Sequence, residues 1–416
     1  MNQIQEQLHQ KVVSILDLTA EIKDETVYEV IDRVLIEQIK TEYLSIQMMQ
    51  KFRKSLFNSI RRLDVLQELL EQKDITEIMI NGYDHIFIEK KGKILEWEET
   101  FSSKEKFHDV IQQIVSGTNR VVNESSPIVD ARLEDGSRVH VVLEPVSLDG
   151  SAVTIRKFPE KAMNMEDLMK LGALDERMAK MLQLLVKSGA NIFISGGTGS
   201  GKTTFLNALS GYIEEDKRVV TIEDSAELQL IGMPNLVRME SRNANMEGGN
   251  QITIRHLLKA SLRMRPDFII VGEIRGEEAL DMLQALNTGH SGFSTGHANH
   301  SSDMLSRIET MVLMGIDMPL PAIRAQIASA IDLIIHLGRL RDRSRKVLEV
   351  IEIVGYEDGV IKTNPLFWFE EQKEVEGKIQ GVWKQKGVIT QKEKLALAGH
   401  LKSYKKLEQG EVEDEG

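Results

Sequence analysis

Apolar residues recur at helical spacing through the first part of the chain. Apolar positions return every three or four residues, with charged residues between them, in VYEVIDRVLIEQI and in LFNSIRRLDVLQELL. This period is typical of amphipathic helices that bury one face against each other or against a partner. No combination of residues in this segment indicates chemistry. We therefore expect residues 1–70 to form an N-terminal helical segment.

The pattern changes to alternating apolar and polar residues after residue 71. Alternation occurs in ITEIMINGYDHIFIEKKGKILEW, where Asn81-Gly82 and Lys91-Gly92 are typical turn dipeptides of β-hairpins. A helical stretch, KEKFHDVIQQIVSG, is followed by three short strands in ARLEDGSRVHVVLEPVSLDGSAVTIRKF. The mixture predicts a small α+β domain over residues 71–160.

From residue 161 onward, short apolar strands alternate with helical stretches. The strands, in chain order, are ANIFISG, RVVTIED, DFIIVGE, FSTGHA and DLIIHLG. Apolar strands separated by helices indicate a largely parallel sheet with helices on both faces. We expect this α/β domain to cover residues 161–370, with a late hairpin at Asp358-Gly359. We expect residues 371–416 to be a charged tail, helical in part, that ends in the acidic run EVEDEG.

Composition limits the class of protein. A chain of 416 residues is too long for one hydrophobic core, so several domains are expected. The net charge of -12 disfavours nucleic acid as the main partner, because phosphate backbones are usually bound by basic surfaces. The absence of cysteine excludes disulfides and cysteine-ligated zinc. Neither a signal-peptide pattern nor an apolar run of the ~18 residues that span a bilayer is visible. We therefore expect a cytoplasmic protein whose membrane contact is indirect.

The segment GGTGSGKT, residues 196–203, matches the phosphate-loop pattern G-x-x-x-x-G-K-[ST] at every position. It follows the apolar strand NIFIS and precedes the helix-like TTFLNALSGYI, which is the context that the motif requires. Glycines let backbone N–H groups converge on phosphate oxygens, and the helix presents its positive N-terminus to them. Lys202 is placed to reach the outer phosphates, and the Thr203 hydroxyl to ligate Mg²⁺. The predicted nucleotide-binding residues are Gly196, Gly197, Thr198, Gly199, Ser200, Gly201, Lys202, Thr203 and Thr204.

Two predicted strand ends supply acids that the hydrolysis of a nucleoside triphosphate needs. Glu223 and Asp224 end RVVTIED, and Glu273 ends DFIIVGE. The carboxyl ends of neighbouring parallel strands meet at the edge where such sheets bind ligands, so these acids are expected to face the phosphate loop. One carboxylate would activate water and another would help to hold the metal. Gly272 stands where an Asp often holds Mg²⁺, so Glu273 would act on the metal through water or act on the attacking water. Alternatively, these acids are surface charges at strand ends.

Three of the 10 histidines, His290, His297 and His300, lie in NTGHSGFSTGHANHSSD. FSTGH is expected to be a strand parallel to the one that ends at Glu273, which places His297 within reach of the terminal phosphate. An imidazole there can sense the phosphate and pass the difference to the next element. The alternatives are a hydrogen-bonded core histidine and a metal ligand. His300 is left without a role.

Together these segments resemble the secretion ATPases of type II and type IV secretion systems and type IV pili, and the CpaF-like Tad-pilus branch in particular. The resemblance covers residues 75–365. Besides the phosphate loop, it rests on ITEIMINGYDHIFIE, ARLEDGSRVHVV, VTIRKF, TIEDSAEL, LLKASLRMRPDFIIVGEIRGEEALDMLQALNTGH, HANHSSDMLSRIETMVLMG and IRAQIASAIDLII. The resemblance implies a RecA-like ATPase domain, ATP and Mg²⁺ as cofactors, and a cytoplasmic homohexamer. It also implies a motor for pilus assembly or protein secretion, with an inner-membrane platform protein as partner.

The resemblance assigns roles to several residues. Glu223 and Asp224 match the family's Asp box, with Glu223 as the general base, and Glu273 matches its atypical Walker B motif. His290 and His297 match its His box, although their spacing is one residue shorter than the CpaF-like branch leads us to expect. The predicted metal-site residues are Thr203, Asp224 and Glu273.

The family's N-terminal domain also supplies arginines that contact the phosphates. Arg132, Arg138 and Arg156 occupy the matching stretches of this chain. Cationic groups that arrive on domain closure would stabilise a transferring phosphoryl group. The alternative is that all three are exposed strand arginines. The lack of cysteine argues against the type II branch that carries a cysteine-rich zinc insert.

Two other functions fit parts of the sequence. RecA-like hexamers also unwind or pump DNA, and a basic stretch keeps that function open: Arg339, Arg341, Arg343, Arg345 and Lys346. The acidic balance and the lack of an aromatic and basic groove speak against it. A P-loop phosphotransferase is a third hypothesis, but the sequence shows no acceptor pocket and the chain is larger than that chemistry needs.

Overall fold

A computed structural model describes residues 2–16, 22–40, 43–90, 92–117, 121–158, 162–242 and 251–410. The chain divides into two compact units, Met1–Glu160 and Lys161–Gly416. The predicted turn residue Lys91 and the terminal acidic run 411–416 lie outside the described residues. A finer division of the chain into domains stays a prediction.

The first unit begins with four helices, three of which pack around one apolar cluster. Their bounds are α1 Asn2–Ile15, α2 Asp24–Ile39, α3 Ile46–Arg61 and α4 Val65–Glu71. Leu8 of α1, Ile31 of α2 and Leu56 of α3 share this buried cluster, as their helical spacing predicts. Ser45 caps α3 by accepting the N–H of Met48 at 3.2 Å. The helices expected in this part of the chain are therefore present.

An antiparallel six-stranded sheet with one helix completes the first unit, in the strand order β3-β2-β1-β6-β5-β4. The bounds are β1 Ile75–Asn81, β2 Ile86–Lys90, β3 Lys93–Trp97, α5 Lys104–Ser116, β4 Ile128–Arg132, β5 Arg138–Val142 and β6 Ala152–Arg156. Ile78 and Ile80, alternate residues of β1, share a buried cluster with Phe107 of α5. Gly82 has a φ of 77° in the β1–β2 turn, a conformation that favours glycine. The alternating pattern thus marks a sheet with one face on an apolar core.

The second unit contains a nine-stranded sheet in the order β15-β14-β13-β12-β7-β11-β10-β8-β9. The bounds of the six parallel strands are β7 Ile192–Gly196, β8 Val219–Glu223, β9 Leu236–Glu240, β10 Phe268–Val271, β11 Ser291–Gly296 and β12 Leu333–Arg339. Every residue of β7, β8 and β10 is buried, which explains their almost wholly apolar sequences. The predicted parallel sheet is confirmed.

Helices cover both faces of this sheet. Their bounds are α6 Met165–Lys170, α7 Glu176–Lys187, α8 Lys202–Ser210, α9 Ile254–Ser261, α10 Glu278–Asn287, α11 Ser301–Gly315, α12 Leu320–Ala330, α13 Glu393–Leu397 and α14 Leu401–Gln409. Phe193 and Ile194, successive residues of β7, belong to two different buried clusters, because neighbouring strand residues point to opposite faces. Within the described ranges, no helix combines the length and the apolar character needed to cross a membrane.

The C-terminal residues extend the sheet. Three antiparallel strands continue it, β13 Arg345–Glu357, β14 Val360–Val375 and β15 Lys378–Gln385. The expected hairpin at Asp358-Gly359 joins β13 to β14, and both turn residues have positive φ. The charged tail expected after residue 370 is helical in part, in α13 and α14, but it begins with the end of β14 and with β15. These strands keep their charged side chains exposed and bury Phe369 and Ile379. Tyr404 of α14 is buried in the core of this unit.

Candidate active site

The phosphate loop connects the end of β7 to the start of α8. A Cβ added to Gly196 would lie 2.5 Å from the carbonyl oxygen of Leu337 and 2.6 Å from Ser200 Oγ, so no side chain fits there. Gly199 and Gly201 have φ values of 71° and 92°, which favour glycine. Glycine is therefore required for the tight path of the loop to the N-terminus of α8, where backbone N–H groups are free to bind an anion.

Lys202 is buried at the base of this loop. Its ammonium donates to the carbonyl oxygens of Gly196 and Gly197, both at 3.1 Å, and lies 3.4 Å from Nδ1 of His297. Burial lowers the pKa of Lys202 below its ordinary value, and Glu273 acts in the opposite direction. The side chain is thus held where phosphate oxygens can replace the loop carbonyls as acceptors.

Glu223 is enclosed at the end of β8, with an exposed fraction of 2%. Its Oε1 accepts the backbone N–H groups of Glu227 at 2.8 Å and Leu228 at 2.9 Å. Its Oε2 is buried and has no hydrogen-bond partner among the residues that the structure describes. Burial raises the pKa of Glu223 to about 7, against the effect of the two N–H donors. A fixed carboxyl with a free oxygen and this pKa is suited to accept a proton from water.

The side chain of Glu223 explains why Gly272, and not the usual Asp, follows β10. The pairing of Val271 with Ile222 in the parallel register brings Gly272 beside Glu223. A Cβ at position 272 would lie 3.0 Å from Cγ and 3.5 Å from Oε1 of Glu223. Glu223 therefore occupies the space that a side chain at position 272 would need.

Glu273 lies against the guanidinium of Arg275 and the imidazole of His297. Its Oε2 accepts from Nε of Arg275 at 3.0 Å and from Nη2 at 2.7 Å, and its Oε1 lies 3.0 Å from Nε2 of His297. Burial and the nearby Lys202 lower the pKa of His297 below its ordinary value, while Glu273 opposes them. The imidazole of His297 therefore lies between Lys202 and Glu273, with one ring nitrogen near each. The sequence did not single out Arg275, although its position two residues after Glu273 was the available signal.

The remaining predicted metal-site and nucleotide-binding residues have few contacts with the rest of the site. Asp224 is exposed, and its Oδ1 accepts from the hydroxyl of Ser241 at 2.6 Å. Thr203 is half-buried in the first turn of α8, and Thr204 beside it is exposed. Thr198 lies at the exposed tip of the loop. Their contacts with nucleotide or metal stay predictions.

The two histidines of the predicted His box, His290 and His297, do not lie together, and His300 has a third environment. His290 precedes β11 and His297 follows it, so about 20 Å of strand separates them. Nδ1 of His290 lies 3.2 Å from the carbonyl oxygen of Ala285, at the end opposite the phosphate loop. His300 is exposed, and its ring centroid is 6.1 Å from that of His336. This separation removes the basis for one metal site shared by His290, His297 and His300.

His336 is a buried residue of this region that the sequence did not single out. It pairs with Ser195 across β12 and β7, and its Nδ1 lies 2.9 Å from Ser195 Oγ, directly before the phosphate loop. Burial lowers the pKa of His336. Only the strand pairing reveals this contact, because the two residues are far apart in the sequence.

The three predicted arginines form a row in the first unit. Arg132 is paired with Arg138 across β4 and β5, and Arg138 with Arg156 across β5 and β6. Directly opposed residues of antiparallel strands share one face, where like charges repel each other. Arg138 donates to Asp130 at 3.1 Å, and Arg156 lies 3.5 Å from Glu77. A row of cations suits an anion, but contact with a nucleotide stays a prediction.

Some residues of the basic stretch that kept a nucleic-acid function open make contacts within the second unit. Arg341 pairs with Glu371 and Glu374, and Arg345 donates to the carbonyl oxygen of Gly199 at 2.8 Å. Lys346 is buried. The other four residues of the stretch, Arg339, Arg341, Arg343 and Arg345, are exposed, so the argument against a nucleic-acid partner rests on the acidic balance of the chain.

The residues at this edge of the sheet fit a nucleoside triphosphate with Mg²⁺. The loop path leaves no room for a side chain at Gly196, and the N-terminus of α8 carries a partial positive charge. Oε2 of Glu223 is buried without a hydrogen-bond partner among the described residues. Thr203 and Glu273 are the residues that would help to hold Mg²⁺, which usually keeps several waters and phosphate oxygens as ligands.

Known proteins resemble this chain in sequence and in fold. A family model described as "Type II/IV secretion system protein" matches residues 60–394. The chain belongs to this family. It is 32% identical over 318 residues to the conjugal transfer protein TrbB of Rhizobium radiobacter, covering 75% of this chain and 94% of that one. It is 30% identical over 325 residues to the type IV secretion system protein PtlH of Bordetella pertussis, covering 72% and 95%.

The fold of this type II/IV secretion system protein agrees with solved structures. The pilus retraction motor PilT with bound ADP matches with a TM-score of 0.52 and 18% identity, over 84% of this chain and 90% of that one. At this identity the likeness supports the fold alone. The predicted RecA-like α/β architecture and the resemblance to secretion ATPases are confirmed, whereas closeness to the CpaF-like branch stays a prediction.

Proposed function

We propose that the protein is an ATP-hydrolysing motor that powers pilus assembly or protein secretion from the cytoplasmic face of the membrane. The observation that carries this function is Glu223, a buried carboxyl with one bare oxygen, placed at the same sheet edge as the phosphate loop. The link from Lys202 through His297 to Glu273 adds a contact between the loop and a second acid. This combination matches what hydrolysis of a phosphoanhydride needs.

In the proposed reaction, loop N–H groups and Lys202 bind the β- and γ-phosphates. Bound Mg²⁺ would neutralise charge on the phosphate oxygens. Glu223 takes a proton from water while the water oxygen forms a bond to the γ-phosphorus. The bond from that phosphorus to the β–γ bridging oxygen breaks, and ADP and phosphate leave. Water must approach Glu223 Oε2, since Oε1 is occupied by two backbone donors.

His297 is the proposed sensor of the γ-phosphate. It lies between Lys202 and Glu273, so a phosphate that draws Lys202 away from the loop carbonyls changes the charges on both sides of the imidazole. The chain leads from His297 into α11, which gives the change a path out of the site. The arginine row of the first unit, Arg132, Arg138 and Arg156, is the proposed source of further cations for the phosphates.

The proposed assembly is a homohexamer that contacts a platform protein of the inner membrane. The names of the relatives support a place in a secretion or conjugation machine, since they are called a conjugal transfer protein and a type IV secretion system protein. The mass of the full chain with Mg²⁺ and ATP, measured by analytical ultracentrifugation, tests the assembly. A monomer under every nucleotide condition would contradict it.

Nucleotide titration of Lys202→Ala tests the function. We expect the wild type to bind ATP only with Mg²⁺ and to release phosphate, and the variant to lose at least about 100-fold of the rate. Lys180→Ala, which removes a half-buried lysine paired with Glu176 on α7, is the matched control and should behave as the wild type. Calorimetry and phosphate release are the readouts.

Two outcomes would overturn the proposal. Wild-type protein that binds no adenine nucleotide would exclude the ATPase, and full activity of Lys202→Ala would exclude the assigned site. Adding single- and double-stranded DNA to the same assay separates the alternative function. Strong, salt-sensitive stimulation by DNA would favour a nucleic-acid motor.

A further inference from the structure

The turn between β12 and β13 lies against the phosphate loop. We call residues 340–344 the basic turn. Directly after it, Nε of Arg345 donates to the carbonyl oxygen of Gly199 at 2.8 Å, and Cδ of Arg345 lies 3.1 Å from where a Cβ of Gly201 would stand. Arg345 thus contacts the loop through both its guanidinium and its stem.

The bond to Gly199 fixes a peptide plane inside the phosphate loop. The carbonyl of Gly199 and the N–H of Ser200 belong to one planar group, so holding the oxygen also sets the direction of the N–H. That N–H points inward and donates to the carbonyl oxygen of Gly197 at 3.3 Å. A glycine-rich loop has many accessible conformations. A hydrogen bond from outside the loop therefore reduces the conformational entropy that the loop loses when nucleotide binds.

The basic turn is itself held by the end of the chain. We call residues 369–385, from the end of β14 through β15, the C-terminal ribbon. Arg341 donates to Glu371 at 2.7 Å and to Glu374 at 3.0 Å, both on β14. Asp342 accepts the backbone N–H of Ile379 on β15 at 2.9 Å through Oδ2. Each strand of the ribbon therefore contributes a bond to the turn.

A second set of contacts ties the ribbon to the start of β13, next to Arg345. Nε1 of Trp383 donates to the carbonyl oxygen of Val347 at 2.7 Å. The ammonium of Lys346 lies 5.4 Å from the ring centroid of Phe369 and 5.6 Å from that of Trp383. Arg345 is therefore preceded by an ion-paired turn and followed by a strand packed on the ribbon.

We propose that the C-terminal ribbon braces the phosphate loop through the basic turn, and that Arg345 is a positioning residue for nucleotide binding. The brace assigns a role to residues beyond 370 and to the basic stretch. It rests on the proposed nucleotide site, because the loop that it holds is the one that binds phosphate. Arg345 acts on the loop from outside and need not touch the nucleotide.

Two changes remove the brace at different places. Arg345→Ala deletes the contact with the loop, and Glu371→Gln with Glu374→Gln removes the anchor of Arg341 without touching Arg345. Arg345→Lys keeps a stem and a donor and should rescue part of the effect. Arg324→Ala is the matched control, because Arg324 also donates to a glycine carbonyl, that of Gly359, and pairs with Glu309 in the same unit.

Nucleotide affinity is the first readout. We expect Arg345→Ala to raise the Kd for ADP and the KM for ATP about 5- to 10-fold with kcat nearly unchanged, because the loss falls on ordering of the loop. The double variant should raise both by about 2- to 5-fold, and Arg345→Lys should fall between wild type and Arg345→Ala. Arg324→Ala should leave both constants unchanged.

Amide hydrogen exchange of a peptide covering residues 196–203, in nucleotide-free full-length protein, is the second readout. Faster exchange in Arg345→Ala and in the double variant, and not in Arg324→Ala, supports the brace. This readout does not need nucleotide, so it separates the two proposals: a wild type that binds no nucleotide would overturn the proposed function and leave the brace supported. Unchanged exchange and unchanged Kd in both variants would overturn the brace. Should Arg345→Ala unfold, the double variant decides, since its substitutions lie on exposed positions of the ribbon.

Discussion

Glu223 and Glu273 stand at the ends of neighbouring strands, yet their surroundings differ. Each carboxyl has one buried oxygen without a hydrogen-bond partner among the described residues, Oε2 of Glu223 and Oε1 of Glu273, but Glu223 is only 2% exposed. The side chain of Glu273 is 19% exposed and lies against Arg275 and His297. Burial raises the pKa of Glu223 to about 7, against the opposing effects of two N–H donors and of Arg238. Its environment thus suits Glu223 to exchange a proton near neutral pH.

The comparison predicts the largest effect for Glu223→Gln. The amide keeps the size of the side chain and an acceptor for the N–H groups of Glu227 and Leu228, but it cannot take a proton from water. We expect kcat to fall about 10²- to 10⁴-fold while ATP still binds. Phosphate release gives the rate, and calorimetry with Mg²⁺ and ATP gives the affinity.

The same substitution one strand away, Glu273→Gln, is the matched control. It removes a charge that faces Arg275 and His297, so we expect a smaller loss of about tenfold in kcat. A larger loss for Glu273→Gln than for Glu223→Gln would make Glu273 the general base and invert the comparison.

The pH dependence should be smaller but diagnostic. Burial raises the pKa of Glu223 to about 7, so its proton-accepting form becomes scarce below that pH. We expect kcat/KM to rise about tenfold per pH unit up to about pH 7 and then to level off. A flat profile between pH 5.5 and 8 would contradict a rate controlled by Glu223.

The contribution of Glu223 to the free energy of unfolding should fall as pH rises, whereas kcat/KM should rise. A carboxyl whose pKa is raised from 4.5 to about 7 binds its proton more tightly in the folded state. The group therefore destabilises the fold as pH rises from 4.5 to about 7, and the penalty is complete above that range. Glu223→Gln should raise the melting temperature at pH 8 and change it less at pH 5, as measured by calorimetric scans.

The smallest effect on turnover is expected for Gly272→Ala. The added Cβ would lie 3.0 Å from Cγ of Glu223, so that side chain must shift by a few tenths of an ångström. We expect about a twofold to tenfold loss of kcat with the fold retained, which crystallography and phosphate release would show together. Gly117→Ala is the control, because an added Cβ there comes no closer than 3.7 Å to its neighbours. Wild-type turnover in Gly272→Ala would mean that the exact position of Glu223 is unimportant.

The parts of the site that the sequence predicted consist of residues that are contiguous in the chain or directly follow a recognisable strand. The phosphate loop is continuous in sequence, and Glu223 and Glu273 follow directly after apolar strands. A parallel sheet brings such strand ends to the edge where the phosphate loop begins, so this shared edge follows from the fold class alone. The fold was accessible for the same reason, since the buried strands are short apolar runs.

The parts that the sequence did not predict depend on pairing between distant residues. His336 meets Ser195 only through the register of β12 and β7. His290 and His297 are close in sequence, but an extended strand carries them to opposite ends of the sheet. The ribbon was expected to be a charged tail, because its buried residues are too widely spaced among charges to suggest a strand pair.

The contact between Gly272 and Glu223 has an evolutionary consequence. Positions 223 and 272 compete for the volume of one side chain, so enlarging either residue forces the other to shift. A descendant of this chain that moved its acid from β8 to β10 would have to change both positions in step. Residues 223 and 272 should therefore covary as a pair rather than drift separately.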